Sequence, residues 1–147
     1  MAKILVVYHS RDYPMRATIS DHLYSFRRYS RHEVHYLNLA RRRVPAYIGR
    51  TEYDAIILHT ILLSTRFSPA HFKSLISKLN WISGTRAVKA AIPQDEYLHG
   101  DLLSEAFRTL GVTQVFMCAK GVDRNRIYQG FKSGEIRFQE VLTGYLD

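Results

Sequence analysis

Three short apolar runs in this chain each stop abruptly and release a burst of polar side chains. Lys3 to Tyr8 (KILVVY) opens into His9-Ser10-Arg11-Asp12, and Asp54 to Leu58 (DAIIL) opens into His59-Thr60. The third, Lys89 to Ile92, halts at Pro93 and releases Gln94-Asp95-Glu96-Tyr97. Near-continuous apolar stretches of four to eight residues, bounded in this way, are the pattern of strands buried on both faces of a parallel sheet. In open α/β sheets, ligands lie outside the carboxyl ends of the strands, at the point where strand order reverses. The sequence therefore says where a site should be before it says what the site does.

Between these runs lie segments of helical period. The first extends from about Met15 to Tyr29, with Met15, Ile19, Leu23 and Phe26 on one inward face. A second strand is expected over Glu33–Leu37, with the basic loop branching off at Asn38. From Leu39 to Tyr53 the helical signal is weak, because Arg41-Arg42-Arg43, Pro45 and Gly49 leave room for only a short turn. Ser68-Pro69 reads as a cap followed by proline at the first helical position, starting a helix that turns Phe72, Leu75, Ile76 and Leu79 inward and ends near Ser83-Gly84. The fourth strand is Ala87–Ile92. Asp101 is expected to cap a helix carrying Leu102, Leu103, Ala106, Phe107 and Leu110, which Gly111 terminates in a left-handed conformation. A fifth strand, Gln114–Cys118, a short helix around Arg124–Tyr128 and a sixth strand within Arg137–Leu142 complete the chain.

Strand and helix in alternation imply right-handed crossovers and a three-layer α/β/α sandwich. The expected sheet is parallel, of five or six strands in the order 2-1-3-4-5(-6), Rossmann-like or flavodoxin-like, with Val6, Ile56, Ile57, Val88 and Val115 buried. The reversal then lies between strands one and three. It makes His9 and His59 neighbours, with Asp95 and Glu96 one strand further on.

At 147 residues, 46% hydrophobic and 23% charged, the chain suits a single globular domain. No apolar run approaches the ~20 residues of a membrane span, and the six-residue first strand is too short for a secretory core. The single cysteine, Cys118, excludes an internal disulfide and fits a reducing cytoplasm. The formal charge of +8 is concentrated at Arg27, Arg28, Arg31, Arg41, Arg42, Arg43 and Arg50. Such residues either form a solvated face or meet phosphates, anionic lipid or an acidic partner. Nothing matches a nucleic-acid module, so specific DNA or RNA recognition is not expected.

Several chemistries fail at the strand ends. A phosphate-cradling loop needs glycine for close backbone approach, and the loop from His9 to Pro14 has none, which argues against a dinucleotide or P-loop site. A receiver domain shares the strand order but needs acids where this chain has His9 and His59, although Lys120 matches its pattern. The Ser/Thr/Gly-rich FMN loop of flavodoxins is not seen, nor is a nucleophile elbow. His9, His59, Asp95 and Glu96 are suitable metal ligands but lack tight spacing, so no metal and no cofactor is expected. The same polar residues either hydrogen-bond the crevice loops, or serve acid/base chemistry through Asp95, Glu96 and His59 with His9, Ser10, Arg11, Thr60, Arg66 and Gln94 as ligand contacts. Arg11 and Arg66 would clamp an anion, or else pair with Asp12 or Glu96.

The succession Tyr53-Asp54-Ala55-Ile56-Ile57-Leu58-His59-Thr60, then Ile92-Pro93-Gln94-Asp95-Glu96-Tyr97, Gly111-Val112-Thr113-Gln114-Val115-Phe116 and Val141-Leu142-Thr143-Gly144-Tyr145-Leu146-Asp147 resembles the amino-terminal domain of bacterial family-1-like glycosyltransferases of the two-domain GT-B fold. The resemblance spans nearly the whole chain through short motifs. It implies that residues 1–147 form one Rossmann-like domain, the amino-terminal half of a longer protein, with the Gly-x-x-Asp segment Gly144–Asp147 leading to a second domain. It further implies an acceptor-side domain whose carbohydrate or nucleotide-sugar ligand is shared with that second domain, and which is inactive alone. The glycine-rich first loop common in such enzymes is missing here. Two other readings stay open: a free-standing receiver-like or flavodoxin-like module, and a small anion-handling enzyme using His9, Arg11, His59 and Asp95.

Overall fold

The computed structural model describes residues 1–41 and 43–141; the closing segment 142–147 lies outside it. Six parallel strands form one sheet in the order β2-β1-β3-β4-β5-β6, as the alternation requires. They are β1 (Lys3–Tyr8), β2 (Glu33–Asn38), β3 (Ala55–Leu58), β4 (Val88–Ala91), β5 (Gln114–Met117) and β6 (Arg137–Glu140). The connecting helices are α1 (Ala17–Arg28), α2 (Ala46–Arg50), α3 (Thr60–Leu63), α4 (Pro69–Ser77), α5 (Gly100–Leu110) and α6 (Arg124–Ile127). The fold is flavodoxin-like α/β with the reversal between β1 and β3.

Boundaries moved where local hydrogen bonding outweighed periodicity. α1 starts after Arg16, whose extended backbone takes the cap position, so Met15 packs beside the helix rather than within it. Asp54 precedes β3 yet still ties the neighbouring strands: its N–H donates to the Lys3 carbonyl and its carbonyl accepts the Val88 N–H, both at 2.9 Å, while its carboxylate accepts the Lys3 N–H at 2.7 Å. Asp101 does not cap α5: it lies in the first turn, where its charge suits the helix dipole, and His99 stands at the cap position with φ 55°. Gly111 ends α5 at φ 70°, the left-handed conformation expected of it. The β3–α4 connection holds structure the periodicity did not show, namely α3 and a 3-10 turn over Ser64–Phe67.

The two faces of the sheet are covered unequally. Leu5, Val7, Ile56, Leu58, Ala91, Val115 and Met117 line the main core with side chains of α2, α4 and α5. Val6 and Val34 form a smaller core with Leu23 of α1, against which Ile4, Phe26 and Ile57 pack. Handedness explains the asymmetry. Right-handed crossovers running toward β6 all fall on one face, and among the described residues only the step from β1 to β2, in the opposite direction, places a helix on the other. Val88 is therefore not buried as expected but 56% exposed: it shares a register row with Ile4 and Ala55, on the α1 face but beyond α1 itself. Ile57 is half-buried for the same reason. On the opposite face Lys89 is buried, and its ammonium donates to the Thr85 carbonyl at 2.6 Å.

This division predicts the response to truncation. Leu58→Ala, in the main core, should cost about 2–5 kcal/mol, whereas Val88→Ser should stay within about 0.5 kcal/mol. Urea denaturation of the two variants checks this, and equal losses would contradict the assignment of faces.

Candidate functional site

At the reversal, the β1 exit is tied to β2 by Asn38. Its amide donates to the Ser10 carbonyl at 2.8 Å, and its Oδ1 accepts from the Ser10 and Ala40 N–H groups at 3.1 and 3.0 Å. Ser10 Oγ in turn accepts from the Asp12 N–H at 3.3 Å. Ser10 is thus held as part of the loop, and Arg11 is exposed beside it. His9 meets His71 of α4 edge to face, with ring centroids 5.1 Å apart. Burial, then the neighbouring His71 and Arg11, hold His9 below the usual imidazole pKa.

His59 leaves the end of β3 and turns inward, with 0% exposure. Its Nδ1 accepts the Ile61 N–H at 3.3 Å, and its Nε2 lies 2.8 Å from Nδ1 of His22 on α1. Burial first, then His22, push its pKa down to about 3. Burial also lowers His22. The sequence reading missed His22, although the spacing Ile19, His22, Phe26 places it on the inward flank of α1. The adjacent Thr60 hydroxyl donates to Gln94 Oε1 at 3.1 Å and so joins the β3 and β4 exits.

Two expected site residues stand elsewhere. Arg66 is 0% exposed and donates only to backbone carbonyls: Nε to Leu98 at 2.8 Å, Nη1 to Leu63 at 3.0 Å, and Nη2 to Gln94 and Asp95, both at 2.6 Å. Its guanidinium is buried and holds the β4 exit through these carbonyls. Glu96 is 1% exposed; its Oε2 accepts from the Cys118 and Ala119 N–H groups at 2.8 and 2.9 Å, and its Oε1 from the Tyr128 hydroxyl at 2.6 Å. Burial and the Glu96 carboxylate push the Tyr128 hydroxyl pKa up, and burial with the charges of Glu96 and Asp95 does the same to the Cys118 thiol. Neither expected ion pair, Arg11 with Asp12 or Arg66 with Glu96, is among those of the described residues, which join His35 to Glu33 and Lys73 to Glu105. Of the two acids that follow β4, Asp95 faces outward, at φ 50°, with its carbonyl held by Arg66.

The arginines close in sequence are spread apart by the fold. α1 runs against the strands, so Arg27, Arg28 and Arg31 lie toward the amino edge of the sheet, while Arg41 and Arg43 follow β2 at the carboxyl edge. Arg27 is engaged locally, donating to the Val34 carbonyl at 2.9 Å and lying over the Tyr36 ring. Among the described residues, no group of three or more His, Cys, Asp or Glu is placed to hold a metal ion, and no helix is long and apolar enough to cross a membrane.

The chain matches no protein-family model and no curated protein. Among solved structures it is similar to oxidised Flavodoxin 1 from Bacillus cereus, at 16% identity and a TM-score of 0.41, over 87% of this chain and 93% of that one.

Two measurements test the roles of the buried groups. Glu96→Ala strands two N–H groups and a hydroxyl and should cost about 3–5 kcal/mol, against less than about 1 kcal/mol for Asp95→Ala; similar losses would show that Glu96 is not the clamp. For His59, the unfolded chain takes up a proton near pH 6.5 but the folded chain only near 3. The stability it contributes is therefore complete above pH 6.5 and lost as pH falls toward 3, at most about 4–5 kcal/mol. Urea midpoints across this window should fall less steeply in His59→Phe, and an unchanged slope would contradict the assignment.

Proposed function

We propose that residues 1–147 act as the acceptor-side, amino-terminal domain of a glycosyltransferase-like protein. In this reading the domain binds a carbohydrate or nucleotide-sugar ligand at the carboxyl edge of its sheet and leaves transfer to a cleft completed by a second domain. One observation supports it above others. The segments that carry the resemblance, Leu58-His59-Thr60 and Ile92 to Tyr97, leave neighbouring parallel strands at one edge, joined by the bond from Thr60 to Gln94 and with Gln94, Asp95 and Tyr97 exposed.

The chemistry of this edge suits hydroxyl-rich ligands. His9 and His22 are held toward the neutral form and, with Gln94, offer hydrogen bonds without a desolvated charge. Ser10 and Arg11 follow His9 in the β1 exit, and Thr60 bonds Gln94 at the β3 exit. Asp95 is the acid available to a bound hydroxyl, as a general base needs direct reach. His59, Arg66 and Glu96 then serve as supports that fix the edge, and Glu96 is not proposed as an acid or base. A glycine-free first loop is consistent with a ligand whose phosphate is not cradled there.

Held alone, such a domain lacks the pairing of donor and acceptor, which is worth about 7–11 kcal/mol of a barrier. The isolated chain should therefore bind nucleotide-sugars weakly and transfer nothing. Titration with a panel of nucleotide-sugars, following amide shifts and product release together, should move resonances of Ser10, Thr60, Gln94 and Asp95 without turnover. Shifts confined to other surfaces would sink the proposal, and turnover abolished by Asp95→Asn would replace it with a small self-sufficient enzyme.

A further inference from the structure

Hydrogen-bond accounting at the β3 exit goes one step beyond this reading and rests on it for the location of the ligand. An imidazole nitrogen that accepts carries no proton, so in a neutral ring the other nitrogen does. His59 Nδ1 accepts the Ile61 N–H, which puts the His59 proton on Nε2. That N–H points at His22 Nδ1, 2.8 Å away, and consumes its lone pair. The His22 proton is then on Nε2, on an exposed residue. The neighbouring pair obeys the same rule. Thr60 occupies Gln94 Oε1 and leaves the amide NH2 of an exposed residue outward. Consecutive residues of one strand end thus each take the acceptor atom of a partner and leave its donor free.

We infer that His22 is a ligand-contacting hydrogen-bond donor, locked as the Nε2–H tautomer by buried His59, and that it serves an oxyanion of the ligand. His59 is a positioning residue: it touches no ligand and acts through the ring it orients. An oxyanion is the matching group because the free atoms at His22 and Gln94 are donors, and because Arg11 and Arg41 stand exposed at the same sheet edge. The arrangement also disfavours a metal ion at His22 Nε2. That would require the proton on Nδ1, facing the His59 N–H, and the whole chain of bonds back to Ile61 would have to reverse.

The tautomer is read directly from ring 15N and 1H shifts of the unliganded protein at pH 7.5. Both rings should show protonated Nε2; a protonated Nδ1 on His22 would overturn the inference whatever the chain binds. The binding arm uses inorganic phosphate, glucose 1-phosphate, glucuronate and glucose as probes. The charged probes should shift His22 Nε2–H and Gln94 NH2, and glucose at equal concentration should not. A response to glucose 1-phosphate and not to glucuronate identifies the oxyanion as phosphoryl, and a response to both identifies it as a general anion contact. No response of His22 to any charged probe overturns the inference. His22→Phe should weaken the responding probe about tenfold. His59→Phe should let His22 sample both tautomers and weaken binding about fivefold, and His59→Gln should restore both, since its amide can donate to His22 and accept from Ile61. Unchanged tautomer and affinity in His59→Phe would count against the positioning role. If His59→Phe does not fold, the wild-type tautomer and His22→Phe still decide. Nucleotide-sugar shifts at Thr60 and Asp95 without any at His22 would defeat this inference and leave the proposed function standing; correct tautomers and phosphate binding without nucleotide-sugar binding would do the reverse.

Discussion

Two buried charges of opposite sign hold the carboxyl edge of this sheet, and neither is neutralised by the other. Arg66 spends its donors on the carbonyls of Leu63, Gln94, Asp95 and Leu98, and Glu96 accepts from the N–H groups of Cys118 and Ala119 and from the Tyr128 hydroxyl. Taking a charge out of water costs several kcal/mol unless hydrogen bonds replace its hydration. Here charge-assisted bonds to backbone do so. The consequence is mechanical: the turn after β3, the loop after β4 and the turn after β5 become one body. Asp95, between the two anchors, is presented in a left-handed conformation that an unanchored loop would rarely keep.

Around that body the topology decides what is reachable. The reversal between β1 and β3 puts the His9 and His59 loops side by side but turns their rings apart, His9 to His71 of α4 and His59 to His22 of α1 on the other face, and Asn38 fastens the first loop to β2. Because α1, alone among the helices of the described residues, crosses on its face, it is α1 that supplies the partner for His59. A ring buried without that partner would leave a polar nitrogen unpaired, at a cost of about 1–3 kcal/mol. The pair His22–His59 therefore links packing of a helix to the chemistry of a strand end.

Legibility varied by residue and for physical reasons. Gln94, Asp95 and Glu96 are three polar neighbours after the same strand, yet Gln94 and Asp95 face out and Glu96 faces in. Alternation in a loop follows no fixed period, so only φ at Asp95 and the waiting N–H groups after β5 separate them. Arg66 looked like an anion clamp because it follows a strand end; the α3 turn, which its neighbours did not advertise, carries it into the interior instead. Val88 failed for a different reason, since apolar strand residues signal burial only where a helix covers that part of the face. His22 sat in a helix whose inward stripe was read from its apolar members alone.

By itself the sequence determined the class of fold, the strand order, the helix stop at Gly111 and the sheet edge where polar side chains gather. Those follow from period, from turn chemistry and from the handedness of crossovers, which are local or universal. The tertiary structure alone decided which of the gathered residues face solvent and which hold the edge together. That choice depends on partners 22 to 37 residues away in the chain, from Glu96 to Cys118 and from His22 to His59. A buried polar group is stable only where such partners meet it, and distance along the chain says nothing about whether they will.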